Sequence, residues 1–580
     1  MCGIFCCVSK CSSTDFGEAV LEGCKHLLNN RGPDYAGSII YDNRILMYGS
    51  ILWQQGSETT RQPMQSDRFV LLFNGDLFID RGNTNASDTQ WLFDRITSAV
   101  FDIASLADVF KELKGPFSLI LLDKSLRRIY FARDSLGRNS LLLGQFEEGF
   151  IITSVLGRNT SIGVVEIPPN GIYYADLDGT DIELNLFPWK HTNNHEIDSL
   201  SITDDLIYLP WMTKDVIPVN AFSFHHVLKT QTSEETDTFD YLLNHSCIAD
   251  LCDRLLNVLT ESVRERVVNT PNHCKACMAS KQSCEHPRVG ILFSGGIDCT
   301  ILALLANSFV PAHIPICLLN VAFEKIIRPG NPEYKKRMAN STDIDWDVPD
   351  RITGHNSWKE LQLLKPNREW TFVEINVTRK ELQNYKNRIS DLVFPLKSVL
   401  DESLGAALWF ASRGKGLVNN SEYNSLCRVM LLGSGADELF GGYSRHRAAF
   451  YRSIVKAIQP SEESILTGFN NLMTELELDW DRLPSRNLAR DDRIIGDHGV
   501  TPRTPYLQED FISIVRSLNA DQRCYHPLGE GIGDKLTLRL CAYKLGLRQS
   551  CKLRKRALQF GSRIADRKQN ANDSSSFLSS

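Results

Sequence analysis

Along the first 190 residues, apolar side chains gather in short runs. Phe69 to Phe73, Phe117 to Leu122 and Ile129 to Ala132 are bounded by turn-forming residues such as Asn74-Gly75, a pattern that predicts β-strands. A poorly patterned polar stretch follows over residues 191–245, holding His191-Thr192-Asn193-Asn194-His195 and Thr232-Ser233-Glu234-Glu235-Thr236, and reads as a connecting segment. The period then changes. Leu251, Leu255, Leu259, Val263 and Val267 recur every four residues, one stripe of an amphipathic helix.

Beyond that helix, strand-like and helix-like patterns alternate. Val289 to Phe293, Ile316 to Val321 and Val429 to Leu432 are apolar runs, while segments from Cys299 and over Leu404 to Ser412 read as helices. Such alternation predicts a parallel sheet covered by helices on both faces. Ligands of these sheets sit beyond the carboxyl ends of the strands. The Ser-rich tail reads as disordered. The expected organisation is a first domain over 2–190, a connection over 191–245, a second domain over 246–569 and a disordered tail over 570–580.

Composition narrows the class. In 580 residues, hydrophobic side chains make up 42% and charged ones 23%, which supplies ample core for a large globular protein. Lys+Arg 64 against Asp+Glu 70 gives −6, which excludes a polybasic nucleic-acid binder. No run of 18 apolar residues predicts a membrane span, and the start lacks a basic leader before its apolar stretch. These features predict a cytoplasmic enzyme with sixteen reduced cysteines.

Candidate chemistry begins at Cys2. Removal of Met1 would leave Cys2 with a free α-amine, whose pKa near 7.7–8.0 suits it to act as base for its own thiol. Downstream stand Arg31-Gly32-Pro33-Asp34, Gln62-Pro63-Met64, Phe73-Asn74-Gly75-Asp76, Ser87-Asp88-Thr89 and Arg133-Asp134-Ser135-Leu136-Gly137-Arg138. This ordered set resembles the glutaminase domain of asparagine synthetases, a class II glutamine amidotransferase of the N-terminal-nucleophile type. The resemblance implies that Cys2 attacks the glutamine side-chain amide. Asn74 and the Gly75 N–H would form the oxyanion hole, and Gly75, Asp76 and Asp88 would bind glutamine. Ser50 stands where the family is expected to carry an arginine for the glutamine α-carboxylate.

Two glycine-rich loops follow strand-like runs in the second half. Phe293-Ser294-Gly295-Gly296-Ile297-Asp298 precedes a helix, where backbone N–H groups and the helix dipole favour phosphate. It resembles the pyrophosphatase loop of enzymes that cleave ATP between its α- and β-phosphates. No Gly-Lys-Ser/Thr follows, so it is not a Walker A loop. Gly433-Ser434-Gly435-Ala436-Asp437 resembles the second nucleotide loop of the same family, and Lys535 lies in a later synthetase-like segment. The resemblance implies ATP binding by Phe293, Ser294, Gly295, Gly296, Asp298, Gly433 and Gly435, with Mg²⁺ on Asp298 and Asp437. Lys535 would be a cationic stabiliser. Ser434 replaces the glutamate that synthetases carry.

The whole chain therefore resembles the asparagine synthetase domain-containing protein family. Its implied fold is an N-terminal-nucleophile α/β sandwich followed by a doubly wound parallel-sheet ATP pyrophosphatase domain. Its implied activity is glutamine-dependent, ATP-consuming amide formation on a carboxylate acceptor that need not be aspartate. The rival reading is a degenerate synthetase that binds ATP or acts as a scaffold. Outside these motifs, Cys274, Cys277, Cys284 and His286 sit in a polar insertion before Val289. Their types suit a tetrahedral zinc site. The irregular spacing favours plain surface thiols.

Overall fold

The computed structural model describes residues 2–579 except 82–85, 161, 179–181, 190–200, 204–206, 208, 210, 212–221, 231–236, 281–282, 326–343, 455–460 and 566–569. The short apolar runs of the first domain form two stacked sheets. In the six-stranded sheet, Gly3–Ser9 lies between Ile45–Ile51 and Gly149–Thr153. In the seven-stranded sheet, Phe69–Gly75 pairs antiparallel with Phe117–Asp123. Inner faces meet through Ile4, Cys6 and Val8 on one side and Val70, Leu72, Ile120 and Leu122 on the other. Alternation along each strand gives every sheet a second face. The helices Asp88–Ala99 and Ile103–Lys111 cover that of the second sheet, and Asp15–Arg31 covers part of that of the first.

Asn74-Gly75 does not turn as the sequence predicts. The pair continues the strand, Asn74 opposite Ser118 and Gly75 opposite Phe117. A Cβ at Gly75 would lie 2.1 Å from the Phe73 ring, so the glycine serves close packing here. The connecting segment is also more structured than its polarity suggests. Phe224–Lys229 and Thr238–Leu243 are helices, and their Phe224, Phe239 and Leu242 are buried in the second domain's core.

The stripe from Leu251 lies on the helix Ser246–Val268 and is buried throughout. The alternating runs build a seven-stranded sheet whose parallel part runs Trp370–Val377, Ile316–Phe323, Val289–Leu292, Val429–Leu431, Thr501–Arg503. The chain starts at Val289–Leu292, builds outward one way, then crosses to the other side. The switch point therefore falls between Val289–Leu292 and Val429–Leu431, which pair directly. Both predicted nucleotide loops leave from these two strands, at the crevice where doubly wound sheets bind ligands.

One apolar cluster crosses the domain boundary. Phe5, Cys7, Leu46 and Tyr48 of the first domain share it with Val321, Val373, Phe410 and Ile494 of the second. Buried charge pairs reinforce the join. Arg31 places Nη2 3.0 and 2.8 Å from the two carboxylate oxygens of Asp492, and neither side chain is exposed. Arg503 binds Asp76 at 2.6 and 3.1 Å, Arg138 binds Glu509 at 2.6 Å and Arg493 binds Glu166.

The tail is docked, contrary to the disorder expected from its serines. Val399 and Leu400 donate their N–H groups to the Asp573 and Ala571 carbonyls at 2.9 and 3.1 Å. Leu578 is buried in the shared cluster, and its carbonyl accepts from Arg158 of the first domain at 3.3 Å. The apolar pair Phe577-Leu578 supplies the burial that the serine content masks.

The Arg31–Asp492 pair is directly testable. Asp492→Ala leaves a buried guanidinium without its carboxylate, which costs about 3–5 kcal/mol. The expected readout is a lower urea midpoint; an unmoved midpoint would show the pair solvated in solution.

Candidate functional site

At the glutaminase end, Cys2 is 7% exposed and opens the strand Gly3–Ser9. Its backbone N–H donates to Asn74 Oδ1 at 2.8 Å, so the two residues predicted to act together are in contact. The Cys2 carbonyl accepts from Arg31 Nε at 3.2 Å. Burial pushes the Cys2 thiol up, the Leu52 backbone and Arg31 pull it down, and Asp88 raises it further. Asn74 is itself fixed. Its Nδ2 reaches Ser118 Oγ at 3.4 Å, and its carbonyl accepts from Asn139 at 2.7 Å.

Asp88 stands in the first turn of Asp88–Ala99, capped by Ser87, whose side chain accepts from Gln90 N. Its oxygens accept from Leu77 N at 3.0 Å and Thr89 N at 2.7 Å. Burial lifts its carboxyl to about 6, the charge of Asp76 adds to the rise, and Leu77, Arg81 and Thr89 oppose it. Asp76, predicted beside Asp88 as a glutamine ligand, has its carboxylate turned to Arg503 and Gln55 instead.

Ser50 also departs from its predicted place. It lies opposite Gly3 in the sheet, so its side chain shares the face of Gly3, away from Cys2 and Ile4. The hydroxyl donates to Leu28 O at 2.6 Å and the side chain is wholly buried. Gly3 and Gly32 crowd it: a Cβ at Gly32 would lie 2.2 Å from the Ser50 carbonyl. An arginine here would meet the helix Asp15–Arg31.

At the synthetase end, the loop after Val289–Leu292 holds Phe293 by its N–H on Leu319 O at 2.9 Å. Gly295 takes φ +77°, and a Cβ there would lie 2.4 Å from Thr353 O, so only glycine fits. Ser294 Oγ accepts from Gly296 N at 3.3 Å. Gly296 caps the helix Ile297–Ala306, placing Asp298 in its first turn. Across the switch point, Gly433 approaches Asp298 so closely that a Cβ would lie 2.9 Å from the aspartate Cβ, and Gly435 takes φ +94° ahead of Asp437. Ser434 is half-buried on the same loop.

Lys535 joins the two loops. Its Nζ lies 2.7 Å from Asp298 Oδ2 and 2.6 Å from Asp437 Oδ1, and the side chain is 1% exposed. Burial opposes the ammonium, but Asp298 and Asp437 override it and hold its pKa above the ordinary lysine value. Burial likewise opposes the Asp437 carboxylate, and Lys535 and Lys555 hold it well below the usual range. Lys555, which also pairs with Asp437, was not singled out from the sequence. The basic run Lys552-Leu553-Arg554-Lys555-Arg556 was the available signal. Both predicted Mg²⁺ ligands thus converge on one cationic point, the Lys535 ammonium.

The predicted Cys/His set is brought together as well. One ligand atom from each of Cys274, Cys277, Cys284 and His286 lies within 4.8 Å of all the others.

The fold and these two sites define a glutamine amidotransferase domain joined to an asparagine synthase-type domain. Family models match accordingly: "Glutamine amidotransferase domain" over residues 1–158 and "Asparagine synthase" over residues 417–567. An asparagine synthetase domain-containing protein of Drosophila melanogaster is 39% identical over 598 residues, covering 100% of each chain. Asparagine synthetase domain-containing protein 1 of Homo sapiens is 36% identical over 630 residues, covering 97% of this chain and 95% of its own. A putative glutamine-hydrolysing asparagine synthetase of Methanocaldococcus jannaschii is 27% identical over 237 residues, covering 40% of this chain and 32% of its own. The chain belongs to the asparagine synthetase domain-containing protein family. Among its described residues, no helix is long and apolar enough to cross a membrane.

Asp88 yields a pH-dependent test. Its carboxyl titrates at about 6 when folded and near 3.9 when unfolded. The folded chain therefore holds a proton between those values that the unfolded chain has lost. Stability from this group rises as pH falls through that window; above it, the buried charge costs about 2–3 kcal/mol. Asp88→Asn is expected to raise the urea midpoint at pH 7.5 by more than at pH 4. Equal stability at pH 7.5 would show that the charge is not penalised.

Proposed function

We propose that this protein is a glutamine-dependent, ATP-consuming amide-forming ligase whose acceptor is a carboxylate other than aspartate. The observation that carries the reading is the convergence of Asp298 and Asp437 on Lys535 at the switch point of the sheet. In the first half-reaction, the Cys2 α-amine, freed of Met1, takes the thiol proton. The sulfur then attacks the glutamine carboxamide carbon. Asn74 and Gly75 N–H groups stabilise the oxyanion; the α-ammonium returns its proton to the amide nitrogen as collapse expels ammonia, and water then releases glutamate from the thioester and restores the Cys2 thiol. Asp88 holds the substrate α-ammonium, which justifies keeping a carboxylate at an energetic cost.

In the second half-reaction, the acceptor carboxylate oxygen attacks the α-phosphorus of ATP and pyrophosphate leaves. Ammonia then displaces AMP from the acyl adenylate. The Ser294 to Asp298 loop and the N-terminus of Ile297–Ala306 offer N–H donors to phosphate. Asp298 and Asp437 would hold Mg²⁺, which when bound neutralises phosphate charge. Lys535 and Lys555, paired here with these carboxylates, would shift to the phosphates. Ser434 supports a changed acceptor, because a hydroxyl cannot replace the acid–base chemistry of a carboxylate, worth about 10²–10⁴-fold. The same residue favours a second reading, an ATP-binding scaffold without turnover.

The decisive assay follows glutamate, AMP and pyrophosphate with aspartate and a panel of other carboxylates. Glutamate release is expected from wild type and lost in Cys2→Ala, with ATP binding retained; intact-mass analysis should find Met1 removed. Asp298→Asn is expected to weaken ATP binding in a Mg²⁺-dependent manner. With ammonia in place of glutamine, aspartate is expected to give little asparagine. Asparagine formed in step with pyrophosphate at about 1 s⁻¹, within the ordinary enzyme range, would make the chain an aspartate-using synthetase. ATP binding without AMP from any carboxylate would favour the scaffold.

A further inference from the structure

The loop between the helix Ser246–Val268 and the strand Val289–Leu292 serves neither proposed half-reaction. Yet it gathers three thiols and an imidazole. Cys274 Sγ and Cys277 Sγ lie 3.5 and 3.4 Å from the same His286 Nδ1, and all four ligand atoms fall within 4.8 Å of one another. Bonds of about 2.3 Å to sulfur and 2.0–2.1 Å to nitrogen at a tetrahedral ion separate the two ligands by about 3.6 Å. We propose that Cys274, Cys277, Cys284 and His286 form a structural zinc site, with Sγ of the three cysteines and Nδ1 of the histidine as ligands.

The surroundings fit a thiolate-rich site. The Cys274 backbone N–H donates to Cys284 Sγ at 3.3 Å, a contact that stabilises charge on sulfur. Three thiolates on a divalent ion leave one net negative charge, and the guanidinium groups of Arg288 and Arg428 lie within electrostatic reach of Cys274. Burial is graded: Cys274 is enclosed, Cys277 and Cys284 are half-buried and His286 is exposed, so metal can enter from solvent. Four protein ligands fill a tetrahedral coordination sphere, which marks a structural rather than a catalytic zinc.

The position gives the ion its purpose. Lys275 N donates to Leu426 O at 3.1 Å, and the Arg288 carbonyl accepts from Arg428 N at 2.9 Å and Val429 N at 3.2 Å. The loop thereby pins the amino ends of the two strands whose carboxyl ends carry the nucleotide loops. His273 packs on Trp53 of the glutaminase domain, with ring centroids 5.7 Å apart. A zinc clip here stiffens the base of the synthetase sheet where the other domain rests on it.

The test uses the full chain, purified under reducing conditions without added metal. Elemental analysis is expected to find one zinc per chain, and Cys277→Ser and His286→Ala are each expected to lose it. Because a variant can fail to fold, wild type is also stripped with a chelator and titrated with Co²⁺. The expected spectrum has the intense visible bands of a tetrahedral thiolate site and saturates at one equivalent; His286→Cys should keep the metal and strengthen the sulfur-to-cobalt absorption. Wild type without stoichiometric zinc and without that spectrum would overturn the proposal. So would full zinc retention by a Cys277→Ser/Cys284→Ser double variant, or a Cys274–Cys277 disulfide found by thiol mapping of the reduced preparation.

Discussion

The guanidinium of Arg31 is the point on which the two-domain arrangement turns. It is fully enclosed, and such a charge is tolerated only where every side finds a partner. Nε satisfies the Cys2 carbonyl, Nη1 the Asp492 carbonyl at 3.1 Å, and Nη2 the Asp492 carboxylate. Asp492 Oδ2 also accepts from Ser140 N at 3.0 Å. The backbone of the candidate nucleophile is therefore positioned by a carboxylate of the second domain.

The same solution recurs along the boundary. Arg503 and Arg493 of the second domain reach Asp76 and Glu166 of the first, while Arg138 of the first reaches Glu509 of the second. Arginine suits these places because its planar fork meets carboxylates in fixed geometry and stays charged when buried. The Arg503 contact matters most for chemistry. Asp76 follows directly on Asn74-Gly75, and Arg503 ends a strand adjacent to Val429–Leu431. The last residues of one site's strand and the sheet of the other are thus braced by a single ion pair.

Features set by local period were legible in the sequence. The stripe from Leu251 and the apolar runs of the parallel sheet survive as a helix and strands because burial demands are written every four or every residue. The strand–loop–helix form of the first glycine-rich loop was legible too, since its glycines and the helix that follows are neighbours in the chain. Residues whose meaning depends on distant partners were not. Asn74-Gly75 has the local look of a turn, and only pairing with Phe117 and Ser118 keeps it extended. That Asp76 also meets Arg503, far along the chain, could not be read from its neighbours in sequence. Ser50 required the strand's facing, and the tail's serines hid two apolar residues that matter more than their number.

Arg31 and Asp492 are separated by 461 residues, and that distance is also an interval of time. A ribosome adding about 5–20 residues per second takes about 25–90 s to go from one to the other. The inner core of the first domain's two sheets draws only on residues made before that interval ends, but the guanidinium beside Cys2 lacks until then the carboxylate it meets in the finished fold. A lone arginine charge is costly to bury, so the enclosure of Arg31 beside Cys2 waits for Asp492. The candidate glutaminase site is enclosed on its Arg31 flank only when the chain's last third arrives, which makes the second domain a wall of the first domain's candidate site.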